Sequence, residues 1–216
     1  MSRLPARSGR LQVFHATDGF SMIELLVVVA IVITVTAISV PTVSKLVTSA
    51  QLRGGMGDLS GLFQNARNVA VRQNTISKVH FQVSNSRQIA FVDSINCSSL
   101  GWCGLGTSTP QIWLPPKFTQ VDPPTGGAGA PTALNAATCG SSTTLDSTPT
   151  DDTYFNQMGI PCQYNSTTNP SCSGSQAFAY YFNYVESAVN TSWAALCVSP
   201  AGRIKAWYWT GSSWTN

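Results

Sequence analysis

The sequence predicts an α+β fold: a long N-terminal α-helix, transmembrane in its first half, packed on an antiparallel β-sheet head. Three observations support this fold. Residues 20–41 are almost wholly apolar, apolar residues recur at helical spacing over 42–75, and the remaining chain alternates with a period of two between clusters of turn residues. With 216 residues, the chain is long enough for one domain of ordinary size beyond the apolar run.

The apolar run, 20–41, is about as long as the roughly 20 residues with which a helix crosses a bilayer core. The leader before it, 1–19, contains three arginines and one acid. The positive-inside rule therefore places the leader in the cytoplasm and the head in the periplasm. We expect a single-pass protein of the bacterial inner membrane, with Pro41 either kinking the helix or ending the span.

Glu24 lies inside this apolar run, and two simple interpretations of the run do not explain it. A secretory signal cut at residues 37–39 accounts for the basic start, but such signals seldom open with a carboxylate. A plain membrane anchor accounts for the length. It leaves the carboxylate without a partner, however, at a cost of about 2.5–3.5 kcal/mol on insertion scales.

A third interpretation supplies the partner. The stretch "GFSMIE", residues 19–24, after a basic leader, resembles the class III leader of type IV pilins and type II secretion pseudopilins. The resemblance implies that a prepilin peptidase cuts between Gly19 and Phe20 and methylates the new N-terminus at Phe20. Glu24 would then neutralise the terminal amine of a neighbouring subunit and set the axial register of a helical filament. Pro41 also lies where pilins often have a proline.

The second half of the helix, 42–75, is amphipathic. Its apolar residues recur at three- and four-residue spacing: Val43, Leu46, Val47, Ala50, Met56, Leu59, Leu62, Phe63, Ala66, Val69 and Ala70. Glycines at 54, 55 and 57 weaken the helix by about 1 kcal/mol each relative to alanine, so we expect a bend or local melting there. Asn74 is the predicted stop.

The head, 76–216, begins with two strands around a turn at 84–86, the first alternating apolar and polar residues over 79–83. An insertion at 94–152 is rich in Gly, Pro, Ser and Thr, and within it "QIWLP" and "KFTQV" are the predicted strands. Strand character returns in "TYFNQMGIP", "QAFAYYFNYV" and "AALCVSPAGRIKAWYWT". The last segment predicts a hairpin that turns at 199–202.

Three segments, "LFQNARNVAVRQN" at the end of the helix and "YFNQMGIP" and "VSPAGRIKAW" in the head, resemble the GspH/FimT family of minor pilins and pseudopilins, over most of residues 19–210. The resemblance implies a pilin-like fold and a subunit that joins or primes a type IV pilus or a type II secretion pseudopilus. Its partners would be the prepilin peptidase, other pilins or pseudopilins, the inner membrane, and secreted cargo or DNA. The residues do not distinguish the two machines.

All six cysteines lie beyond the apolar run, at Cys97, Cys103, Cys139, Cys162, Cys172 and Cys197. An even number in an exported segment indicates disulfides. A metal site is the alternative, but no CxxC spacing occurs and His80 is the single histidine outside the leader. Six cysteines allow 15 connectivities. Short loops favour Cys97–Cys103 and Cys162–Cys172, which leaves Cys139–Cys197.

No catalytic constellation stands out, so we expect a chain that is not an enzyme, without catalytic residues, cofactor or metal. We interpret His80 as a side chain hydrogen-bonded at a sheet surface, and Asp151-Asp152 as a solvated loop. The net charge of +3 falls to +1 once residues 1–19 are removed, because nine basic and eight acidic side chains remain. Charge alone therefore does not indicate a nucleic-acid partner.

Arg203 and Lys205 are the residues that suggest a second function. They lie on one side of a predicted strand, next to several aromatic residues, a combination that suits contact with a nucleic-acid backbone. Some GspH/FimT members are DNA receptors that use basic residues in the corresponding hairpin, so a DNA-uptake receptor is the alternative function. The simpler interpretation is a solvent-facing strand with its aromatic residues in the core.

Overall fold

The computed structural model describes residues 21–95, 102–106, 109–127, 130–140, 145–146, 152–165, 171–185 and 191–216. Gly19 and Phe20, the expected cleavage and methylation site, lie outside the described residues, as do Cys97 and Asp151. The chain divides into two compact units, Met1–Ser44 and Lys45–Asn216.

Helix α1 covers Met22–Gln73 and continues through Pro41 and the glycines at 54–57. The expected local melting at the glycines is therefore wrong. At Gly55 the structure gives a packing reason for the glycine, because an added Cβ would lie 3.3 Å from Pro115 Cδ. The predicted stop is confirmed: Asn74 follows the last helical residue with φ 50°, the left-handed conformation that ends many helices.

Fourteen strands follow within the described residues. In chain order they are β1 (Ser77–Ser84), β2 (Arg87–Ser94), β3 (Gln111–Trp113), β4 (Phe118–Val121), β5 (Thr125–Gly127), β6 (Ala130–Thr132), β7 (Leu145–Asp146), β8 (Thr153–Phe155), β9 (Pro161–Asn165), β10 (Ser171–Ser173), β11 (Ala177–Val185), β12 (Thr191–Val198), β13 (Ile204–Trp209) and β14 (Trp214–Thr215). The strands predicted from "QIWLP" and "KFTQV" are confirmed as β3 and β4, and the predicted C-terminal hairpin is β12–β13.

These strands form two larger sheets and a small ribbon. The first sheet has the order β10-β9-β8-β1-β2-β3, and the second has the order β14-β13-β12-β11-β4, with β7 pairing β11 in parallel. Strands β5 and β6 pair with each other. The β1–β2 hairpin is in register from Ser77 opposite Ser94 to Ser84 opposite Arg87, so its turn falls at residues 85–86.

The main core lies between the second half of α1 and the strands. Helix residues that recur at three- and four-residue spacing are buried there: Leu52, Met56, Leu59, Leu62, Phe63, Ala66 and Ala70. On β11, Phe178, Tyr180 and Phe182 face the same core at every second position. The amphipathic pattern is therefore confirmed from Met56 onward, whereas Val43, Leu46 and Val47 are exposed.

A second core lies on the opposite face of β11 and β12. Here Leu134 and Cys139, from the insertion, pack against Tyr181 and the small side chains of both strands. The hydroxyl of Tyr181 accepts a hydrogen bond from the backbone N–H of Leu134 at 2.8 Å. The described part of the insertion therefore covers one face of the second sheet and adds strands to the fold.

The predicted fold class needs two corrections. Within the described residues, no helix combines the length and the apolar character that a membrane crossing requires. The expected transmembrane span at 20–41 is therefore wrong, and so is the expected single-pass location in the inner membrane with a periplasmic head. The expected single antiparallel sheet is also wrong, because the strands form two larger sheets and one strand pair is parallel.

Candidate functional site

The N-terminal segment of α1 exposes apolar side chains all round the helix. From Met22 to Val35 the large apolar residues are 46–87% exposed. Glu24 is exposed among them in the first helical turn, and its backbone N–H bonds to the carbonyl of Ser21 at 3.0 Å. The position suits a carboxylate because the N-terminus of a helix is the positive end of its dipole.

The hydroxyl groups of this segment need no outside partner. Thr34 donates to the carbonyl of Ile31 at 2.8 Å, and Ser39 donates to the carbonyl of Val35 at 2.8 Å. Thr36 bonds back within its own helix in the same way. The carboxylate of Glu24 has no such local partner in the sequence, because the next basic residue along the chain is Lys45, 21 positions away.

Arg67 of α1 lies where three of the segments singled out by sequence meet. Its Nη1 atom donates to the carbonyl of Gly202, in the β12–β13 turn, at 3.4 Å. Gly159, in the β8–β9 turn, lies against the same side chain, and an added Cβ there would be 2.8 Å from Arg67 Cγ. Both glycines have positive φ, +72° and +76°. The two turns can therefore approach Arg67 this closely because these two positions carry no Cβ.

Arg203 and Lys205 are exposed and line the same cavity, of about 430 Å³. Two hydrogen bonds close the turn before them. The backbone N–H of Ser199 donates to the carbonyl of Arg203 at 2.8 Å, and the backbone N–H of Arg203 donates to Ser199 Oγ at 3.0 Å. Ile204, between the two cations, packs against the main core. The predicted alternation is therefore confirmed.

The aromatic residues of β13 are divided between the two faces of the sheet. Tyr208 packs against the main core, and Arg53 lies over its ring at 5.5 Å. Burial raises the pKa of Tyr208 above its ordinary value, and the Arg53 charge opposes this shift. Trp207 packs against the second core, with Lys205 Nζ 5.9 Å from its ring centroid. Both rings are thus largely part of the packing.

A charged cluster that the sequence did not suggest lies on the outer face of the first sheet. Asp152 accepts hydrogen bonds from Lys78 Nζ at 2.7 Å and approaches His80 Nδ1 at 3.0 Å. The lysine lies over the ring of Trp102 at 4.5 Å. The expected hydrogen-bonded His80 is confirmed, but the expectation that Asp152 is solvated is wrong, since its side chain is 13% exposed. No sequence signal links Asp152 to a lysine 74 positions earlier.

The disulfides follow the favoured pairing where the structure describes both partners. Cys162 bonds Cys172, and Cys139 bonds Cys197. Cys103 is also in a disulfide, and Cys97 lies outside the described residues. Among the described residues, no group of three or more His, Cys, Asp or Glu side chains is placed to hold a metal ion.

The structure thus brings Arg203 and Lys205 together and places Glu24 in an exposed apolar helix, far along the chain from these cations. Pro41 lies within α1, which continues on both sides of it.

A comparison of this chain with protein-family models, with curated proteins and with solved structures finds no match.

Proposed function

We propose that the chain is a minor pilin or pseudopilin that a prepilin peptidase cuts before Phe20 and methylates there. The mature chain joins or primes the helical filament of a type IV pilus or a type II secretion pseudopilus. The observation that carries this proposal is the position of Glu24, one carboxylate within an exposed apolar helical segment whose hydroxyl groups are already bonded.

Because the exposed segment of α1 is apolar on every side, we expect a partner that surrounds it. A helix that is apolar all round is normally buried, and each large apolar side chain removed from water contributes about 1.5–3 kcal/mol. A bundle of equivalent helices, one from each subunit, surrounds the segment in this way. The compact unit Lys45–Asn216 presents its loops to neighbouring subunits or to secreted cargo.

Glu24 fixes the axial register between neighbouring helices of such a bundle. A carboxylate buried without a counter-charge is strongly unfavourable, whereas one beside a cation is tolerated. Cleavage before Phe20 provides a cation, the new α-amino group, four residues before the carboxylate. A neighbouring helix that slips by one turn, about 5.4 Å, loses this contact.

The test is incorporation of charge-neutral variants into filaments. Glu24→Gln keeps the shape of the side chain and removes its charge, and Asp58→Asn makes the same change at an exposed acid of the same helix. We expect Glu24→Gln to be cleaved normally but to be lost from sheared filaments or from the assembled initiating complex. Asp58→Asn should be incorporated like the unchanged chain. Equal incorporation of both variants would contradict the proposal.

A second candidate function is a DNA-uptake receptor, favoured by one observation. Arg203 and Lys205 are exposed and line one cavity. Two phosphate contacts give weak binding that falls steeply with salt. A gel-shift experiment should show binding by the unchanged chain and loss of binding by the Arg203→Ala, Lys205→Ala double variant. Equal binding by both proteins would remove this candidate.

A further inference from the structure

The outer edge of β13 has no strand partner over most of its length. On one side β12 pairs with β13 from Ile204 to Tyr208. On the other side β14 pairs only with Tyr208 and Trp209. Within the part of the chain that the structure describes, no strand therefore covers this edge before Tyr208.

The register of the β12–β13 hairpin shows which backbone groups point outward. At its turn the N–H of Ser199 donates to the carbonyl of Arg203, so the backbone of Arg203 is directed to β12. Because this direction alternates along an antiparallel strand, Lys205 also bonds towards β12, whereas Ile204 and Ala206 direct their N–H and C=O groups away from it. The edge thus presents a donor and an acceptor at each of two residues about 6.8 Å apart, the spacing of an extended chain.

Both faces of the sheet have room for side chains along this edge. On the α1 face, a cavity of about 360 Å³ is lined by Ile204 and by Gln64 of the helix. On the opposite face, Arg203 and Lys205 line the cavity of about 430 Å³. Ile204 and Ala206 pack against the main core but are only half-buried. A further strand along β13 would therefore have space on either side of the sheet.

The side chains of β13 indicate the chemistry of such a strand. Apolar side chains opposite the half-buried Ile204 and Ala206 would cover them, as cross-strand pairs do in a sheet. On the other face Lys205 is exposed, and none of the described residues that line its cavity is acidic. An acidic side chain opposite Lys205 supplies the counter-charge. The edge therefore matches an extended segment in which apolar and acidic residues alternate.

A second copy of β13 does not match this edge. Antiparallel pairing of two copies through Ile204 and Ala206 would place the Lys205 side chains directly opposite each other, and like charges in that position are destabilising. Pairing through Tyr208 is prevented because β14 occupies that position. The partner is therefore a different segment.

We infer that the outer edge of β13 is a docking site for an extended segment of another polypeptide, which adds a strand to the second sheet. The segment runs antiparallel to β13, as β14 does, and bonds the backbone of Ile204 and Ala206. In such complexes the main-chain bonds give affinity and the alternate side chains give specificity. The inference does not depend on filament assembly, so it can fail or succeed independently of the proposed function.

The test uses backbone-modified peptides, with binding to the full-length chain measured by fluorescence anisotropy. The probe is a short labelled peptide of alternating Val and Glu. With Val opposite Ile204 and Ala206, the N–H groups of Val point to β13 and those of Glu point away. Methylation of the Val nitrogens should weaken binding at least tenfold, whereas methylation of the Glu nitrogens should leave it unchanged. The two modified peptides have the same charge and side chains.

Variants and hydrogen exchange then locate the site. Ala206→Pro removes an outward N–H and no bond to β12, so the chain should keep its thermal unfolding transition and lose peptide binding. Ala206→Val keeps the N–H and should bind the peptide like the unchanged chain. In the unchanged chain, exchange of the Ile204 and Ala206 amides, followed by NMR, should slow when the peptide is added.

Three results would overturn the inference: no binding of the unmodified peptide, equal binding of the peptide methylated at Val, or unchanged exchange at Ile204 and Ala206. Self-association of the unchanged chain that Ala206→Pro abolishes would also overturn it, in favour of a second copy.

Discussion

The guanidinium group of Arg67 donates a hydrogen bond to the carbonyl oxygen of Gly202, which lies 135 positions further along the chain. Gly159 packs against the same side chain. The segments "LFQNARNVAVRQN", "YFNQMGIP" and "VSPAGRIKAW" thus meet around one arginine. The two turns are tied to the helix there, and one of them carries the strand that presents Arg203 and Lys205.

Replacement of Gly159 by alanine should destabilise the head by about 2–4 kcal/mol. A left-handed conformation costs a residue with a Cβ about 1–2 kcal/mol, and the new carbon must also displace Arg67. Gly174→Ala is the matched control, because Gly174 has a similar φ, +69°, and open space around it. Urea denaturation of both variants measures the difference, and equal losses would contradict a role for the Arg67 contact.

The glycines of α1 should respond differently to alanine. Gly54→Ala and Gly57→Ala place a methyl group in open space and should stabilise the folded chain by about 0.5–1 kcal/mol through helix propensity. Gly55→Ala places its methyl group 3.3 Å from Pro115, so this gain should be cancelled or reversed. The comparison uses thermal unfolding of the three variants. A gain at Gly55 as large as that at Gly54 would show that the packing there is loose.

The two described disulfides should contribute unequally to stability. Cys139–Cys197 closes a loop of 58 positions and Cys162–Cys172 one of 10. The chain-entropy account gives the longer loop the larger effect, by about 1.5 kcal/mol. Paired Cys→Ser variants of each bridge, unfolded in urea, test this. The account fails if removal of the shorter bridge costs as much as removal of the longer one.

Asp152→Asn should destabilise the first sheet by about 1–3 kcal/mol. The substitution leaves the largely buried ammonium of Lys78 without its carboxylate, and Trp102 compensates for only part of the lost interaction. Asp122→Asn, at an exposed acid, should change stability by less than about 0.5 kcal/mol. Chemical denaturation of the two variants gives the comparison. Similar stability would mean that the Lys78–Asp152 pair contributes little.

Features set by local chemistry were predictable from the sequence. The stop at Asn74 follows from the tolerance of asparagine for the left-handed conformation. The alternation on β13 places Ile204 inward and its neighbours outward, because side chains of a strand alternate between faces. The Cys162–Cys172 bridge follows from its short loop.

Features set by distant parts of the chain were not predictable. Asp152 has polar neighbours and was therefore expected in solvent, but the strand that follows it pairs with β1 and brings it to Lys78. The composition of the insertion did not reveal that Leu134 and Cys139 cover the second sheet.

Mass spectrometry of the chain co-expressed with a prepilin peptidase tests the central claim, that Glu24 serves an amine created by cleavage. We predict a mature chain that begins at a methylated Phe20, with Gly19→Ala reducing its yield. A chain that still begins at Met1, or that begins at Val40 after cleavage as a secretory signal, would contradict the account.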